Sequence, residues 1–230
     1  MTYDSANPAP PMLPRSSAVL NAARMEPRMA GEASPIGHPE WTSIASSDLA
    51  DVTAEEWVHM NAQRAQWRKT EVATQALEML AVSKDAPGFG YQINNYEHCL
   101  QSATLALQDG QDEETIVVTL FHDIGFVACN ETHGEFAAEL LRPYVDEIHV
   151  WTLQRHMYFQ AIHCTTCPGV DGNLREKWRG HPWFDWAANW VRKYDLASVN
   201  ANLETAPISV FEPMVHRVFG REPKVGPLPE

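Results

Sequence analysis

The pattern that most restricts the fold is a set of nitrogen and oxygen ligands dealt out along separate segments. These are His98 in "NYEHCLQSA", His122 and Asp123 in "LFHDIG", His133 in "THGE", His156 in "QRHMYF" and Asp195 in "VRKYD". A lone histidine on an apolar helix is usually a core residue, and a single His-Asp doublet means little by itself. Six such groups on five helices converge on one centre only in a bundle built around metal. Imidazole with carboxylate suits iron, manganese or zinc, and a carboxylate such as Asp123 can bridge two ions.

The segments that carry these groups read as helices. Order begins near "TAEEWVHMNAQRAQWRKTEVATQALEML", where Thr53 and Glu56 form a capping-box pair and Val72, Ala76, Leu77 and Leu80 repeat at helical spacing. Two helices fit there, broken near Lys69. "KDAPGFG" is a loop, and beyond it Ile93, Tyr96, Leu100, Ala103 and Leu107 share one face. A helix from Asp112 through Ile116, Val117, Leu120 and Phe121 delivers His122 and Asp123 at its C-terminal end. Thr132 and Glu135 form a second capping-box pair, which places His133 in the first turn of the next helix. "VDEIHVWTLQRHMYFQAIH" reads as one further helix, followed by a polar loop and a Trp-rich helix from Pro182 to about Ser198. A last helix follows Pro207, with Ser209 and Glu212 as its cap pair. No strand pattern or internal repeat emerges, so the expected class is all-α, with the helical domain over residues 50–222.

The start of the chain stands apart. Residues 1–40 hold 7 of the 16 prolines and lack periodicity, so residues 1–45 are expected to form a disordered or surface-wrapped arm. The rest of the 230 residues, in a chain 44% apolar, can build a core of ordinary size. A formal charge of -13 repels nucleic acid and anionic membrane alike. The expected partner is a small-molecule substrate, with a homodimer left open. Four scattered cysteines make no disulfide framework, and no run approaches the ~20 apolar residues of a spanning helix. The first residues lack the basic start and apolar centre of a secretory signal, so a cytoplasmic location is expected.

The order H…HD…H…H…D on these segments resembles the HD-domain superfamily in its dinuclear form. "EHCLQSA" followed by "LFHDIG" and "HGE" is most similar to its mixed-valent diiron oxygenases, namely the phosphonate-cleaving HD oxygenases and, more distantly, myo-inositol oxygenase. The likeness covers about residues 88–219. It implies an HD-type helical bundle holding two iron ions, Fe(II)/Fe(III). O2 is then the co-substrate for cleaving a C–P or C–C bond beside a hydroxyl-bearing carbon of a small polar substrate. By position, the resemblance gives one iron His98, His122, Asp123 and Asp195, while the other shares Asp123 and adds His133 and His156. Gln101 and Arg192, each a turn from a ligand, match positions that support the ligands or contact substrate.

The departures from that pattern are specific. Where the phosphonate oxygenases carry a lysine against the anionic substrate, this chain has Gln160. The segment after it is shorter, yet offers Arg175, Lys177, Arg179 and His181, which could rebuild an anion site or serve as solvated loop charges. The tyrosine that caps the second iron in the family has Tyr91 as its nearest counterpart, about a turn later than the family position, where Gly88 stands. Dinuclear HD phosphodiesterases often read "HDIGK"; Phe126 replaces that lysine here, which leaves a metal-dependent phosphohydrolase as the alternative to an oxygenase. "CTTC" lacks the second cysteine pair of a zinc site. Trp183, Trp186 and Trp190 at helical spacing fit core packing first, and a cage for a quaternary ammonium second. His38, His59, His149, His163 and His216 match no motif.

Overall fold

The computed structural model describes residues 41–164 and 166–224. Most of the expected N-terminal arm, and His38 with it, lies outside them. Among the described residues the regular structure is helical, in line with the all-α expectation. In chain order the helices are α1 Ala54–Thr70, α2 Val72–Ala81, α3 Asn95–Gln108, α4 Glu113–Phe121, α5 His133–Leu141, α6 Glu147–Leu153, α7 His156–Gln160, α8 Phe184–Trp190 and α9 Ile208–Phe219. A π-helical turn, Val191–Asp195, continues α8. None of these helices is long and apolar enough to cross a membrane.

The chain divides into two compact units after Gln63. In the first, the expected capping box forms: Thr53 Oγ1 accepts from the Glu56 amide at 3.2 Å, and Glu56 Oε2 accepts from the Thr53 amide at 3.0 Å. Glu56 also takes the amides of Ala45 and Ser46 and the Ser46 hydroxyl, so one carboxylate fastens the incoming chain to α1. These hydrogen bonds, the Ser46 hydroxyl foremost, hold its pKa down to about 2.

The second unit is organised around α4. Thr115 to Phe121 are all buried, so this short helix is apolar or internally bonded on every side and must be central. Cys99, Ala103 and Ala106 are small, fully buried residues of α3 and let that helix lie close against α4. Phe211, Val215, Val218 and Phe219 of α9 and Ala73, Ala76 and Leu80 of α2 complete the same core. Truncating one of these buried aromatics, such as Phe121, to alanine costs ~3–5 kcal/mol by the usual cavity relation.

Three expectations are corrected. The single helix expected through "VDEIHVWTLQRHMYFQAIH" is broken into α6 and α7 at Gln154 and Arg155, where the Arg155 guanidinium turns back to the Trp151 carbonyl at 3.1 Å. Thr132 precedes α5 but makes no side-chain cap, because its backbone (φ -133°, ψ 19°) closes a 3-10 turn rather than extending into a helix entry. Ser209 and Glu212 form no cap pair, because α9 starts at Ile208 with Pro207 as N-cap, so Ser209 already lies inside the first turn. An unforeseen capping box, Asn94 with Glu97, starts α3 and sets His98 in its first turn.

Candidate metal centre

Four imidazoles meet in the second unit, each held by the same device. The Nδ1–H of His122 donates to the Thr119 carbonyl at 2.8 Å, that of His133 to Asn130 at 2.6 Å, and that of His156 to Leu153 at 2.7 Å. Each acceptor lies three residues back, at a helix end or in the turn before one. His98 Nδ1 lies 2.9 Å from the Ser198 carbonyl and 3.0 Å from its hydroxyl. A carbonyl only accepts, so Nδ1 carries the proton in all four rings. Neutral rings of that tautomer present Nε2 as a lone pair, and the four Nε2 atoms face inward.

They face each other and two carboxylates. His98 and His122 Nε2 stand 3.0 Å apart, with Asp195 Oδ1 at 3.6 and 3.7 Å from them. His133 and His156 Nε2 stand 2.9 Å apart, with Asp123 Oδ1 at 3.0 and 3.3 Å. Asp123 also reaches the first group, Oδ2 lying 3.5 Å from His98 and Oδ1 3.5 Å from His122. The result is two ligand groups, His98–His122–Asp195 and Asp123–His133–His156, with Asp123 between them. All six residues are buried or nearly so.

This arrangement lacks a donor. Asp123 Oδ1 is buried without a hydrogen bond, and acceptors crowd acceptors on every side. A metal cation relieves it, and so in part does a proton on an imidazole. With protons alone, burial opposes charge on His122, yet Asp123 and Asp195 drive its pKa up to about 9. His133 is raised in the same way, whereas burial and His122 lower His98. Burial likewise opposes the charge of Asp123, but the imidazoles around it hold its pKa well below the usual carboxylate range. The donor set, nitrogen and oxygen with no sulfur, fits a borderline transition metal in each group.

A cavity of about 240 Å³ opens onto this centre, touching His98, Asp123, His133 and Asp195. Its wall includes Phe89, Tyr91, Phe126, Asn94, Asn95, Gln160 and Cys164, and no lysine or arginine among the described residues. Tyr91 stands at the rim, 63% exposed. A side chain at Gly88 would meet the carbonyl oxygens of Ile93 and Tyr91 at 3.0 Å, so the loop brings its aromatic rings in at 89 and 91 instead.

The other anticipated residues are placed as follows. Gln160 lines the cavity and donates to Asp195 Oδ2 at 2.7 Å. Gln101 is buried and binds the backbone of Asn200 through both amide atoms. Arg192 is exposed and bonds Asn189, although a regular helix would put it on the face of Asp195. The π turn, closed by the Leu196 amide on the Val191 carbonyl at 2.9 Å, changes the angular step and separates the two. Arg179 pairs with both oxygens of Glu176 and lies over Phe184, Arg175 lies over Phe159 and Phe184, and His181 stacks on Trp151. None of the three lines the cavity. Trp190 is core, its ring edge-on to His122 at 5.5 Å and its Nε1 donating to Thr119 Oγ1 at 2.9 Å.

Several supporting residues carried no sequence signal. Asn95 donates to the Asp123 carbonyl at 2.9 Å, Ser198 and Ser102 share a hydroxyl bond beside His98, and Gly134 lets α5 approach Leu153 and His156. The "HGE" segment held the one hint, since a glycine next to a ligand marks close approach.

No protein-family model matches the chain. A curated relative, the 1-hydroxy-2-(trimethylamino)ethyl-phosphonate dioxygenase (glycine-betaine-forming) of Leisingera caerulea, is 31% identical over 166 residues, 60% of this chain and 85% of the relative. With that identity across most of the relative's length, the chain belongs to the family of this phosphonate dioxygenase.

Proposed function

We propose that the protein is an HD-type non-haem oxygenase with two iron ions, Fe(II)/Fe(III), that uses O2 to cleave the C–P bond beside a hydroxyl-bearing carbon of a small phosphonate. The observation that carries this reading is the donor-free convergence of four Nε2 atoms on two groups that share Asp123. His98, His122 and Asp195 would hold one ion and His133 and His156 the other, with Asp123 serving both. When bound, the ions supply the Lewis acidity and redox change that this chemistry needs.

The chain's own residues do the rest. Main-chain carbonyls fix the ring planes, so the ligands are set before anything binds. Phe126 packs edge-on to His133 at 5.5 Å and Phe89 edge-on to Phe126 at 6.2 Å, so apolar rings border the cavity beside the centre. Among the described residues no lysine or arginine lines the wall, so the metals, when bound, would supply the countercharge for a substrate's anionic group. The opposite end meets Phe89, Tyr91 and Phe126, surfaces suited to an alkylated ammonium such as the trimethylamino group of the relative's substrate.

The test is turnover of 1-hydroxy-2-(trimethylamino)ethylphosphonate by the iron-loaded full chain, followed as glycine betaine and phosphate. Product should form in air, stop under strict anaerobiosis and resume on admitting O2. Oxygen-independent turnover of phosphoesters with Mn(II) or Zn(II) would instead assign a metal-dependent phosphohydrolase, because attack of hydroxide on phosphorus needs no redox change.

A further inference from the structure

Asp195 has two oxygens and is 2% exposed, so each must be accounted for. Oδ1 lies among His98 and His122 Nε2, whereas Oδ2 accepts the Gln160 Nε2–H at 2.7 Å. Gln160 is the last residue of α7, the helix that His156 opens, and Asp195 is the last residue of the π turn. One amide therefore joins the helix of a second-group ligand to the carboxylate of the first group.

The physical role follows from torsion and charge. A carboxylate turns easily about Cβ–Cγ, and a ligand that turns offers the wrong oxygen or both. The Gln160 amide occupies Oδ2 and leaves Oδ1 as the oxygen facing the imidazoles. Being neutral, it does this without pairing off the negative charge, as a lysine ammonium would. The remaining Gln160 atom, Oε1, accepts no hydrogen bond from the described residues, and the side chain lines the cavity, so the amide is not otherwise committed.

We propose that Gln160 is a positioning residue that makes Asp195 a one-oxygen ligand of the first metal group. The inference rests on the metal-centre reading above and extends it to a residue at which the chain departs from the oxygenases it resembles.

The experiment is a double-mutant cycle read by Zn(II) titration of the metal-free full chain, with melting temperature as the check on folding. Zn(II) binds such donors tightly and needs no oxygen, so the result is independent of whether the protein is an oxygenase. Wild type should take up two ions. Q160M, isosteric but without a donor, should weaken one of them by roughly 10–100-fold and leave the other unchanged. Q160N, an amide too short to span the gap, should behave alike. In a D195N background, adding Q160M should cause no further loss, because Gln160 acts only through Asp195. Wild-type affinity in a folded Q160M and Q160N, or an equal loss in the D195N background, overturns the role of Gln160 alone. Failure of wild type to bind two ions overturns the metal-centre reading and this inference with it.

Discussion

A methyl group has nowhere to go at position 134. The Cβ of an alanine there would collide with the Leu153 carbonyl and stand 3.0 Å from His156 Cε1. Leu153 is the residue whose carbonyl holds the His156 ring, so G134A strikes the second ligand group through its support. The expected outcome is a folded protein that retains one metal ion instead of two, checked by metal analysis after anaerobic loading. D123N should reach further, because Asp123 lies against both groups: metal content should fall to one ion or none, with O2 consumption lost. At this scale the six residues that converge were legible as candidate ligands, because their order along the chain is itself the signal. The carbonyls that aim them were not, since Thr119, Asn130, Leu153 and Ser198 contribute main-chain or hydroxyl groups that nothing in their spacing reveals.

Elements were legible where side-chain chemistry dictates the ends. Thr53 with Glu56 was read correctly because its hydroxyl and carboxylate do close on the backbone, whereas the same spacing at Thr132 and Ser209 was overruled by a 3-10 turn and by Pro207. The break between α6 and α7 and the π turn that ends at Asp195 escaped because neither is marked by a glycine or proline. The π turn gives a prediction: deleting Lys193 should let the segment return to α-helical register and rotate Asp195 out of line with His98 and His122. Helical content by circular dichroism should be retained while the first group loses its metal. The Glu56 clasp gives another. Its folded-state pKa lies near 2, below the usual value of 4.5, so its stabilising effect is complete above pH 4.5 and is lost as pH falls toward 2. The protection of the Ala45 and Ser46 amides relative to E56Q at the same pH should be present above pH 4.5 and disappear as pH falls toward 2.

For the whole molecule, the fold class was the easiest inference, since helical spacing recurs in the apolar segments after residue 50 and no strand pattern competes with it. The arm was read from its proline content and its lack of periodicity, and it carries a plain expectation: removing residues 1–40 should leave metal content and turnover unchanged. Loss of either in a truncated chain that still melts cooperatively would make the arm part of the working enzyme. The means by which the histidines are aimed also bears on how such a chain can change over generations. A backbone carbonyl is supplied by any of the twenty amino acids, so the residue at 119, 130 or 153 can be exchanged without removing the group that orients the neighbouring ring. Exchanges at those three positions therefore leave the orienting group in place as long as the path of the backbone is kept.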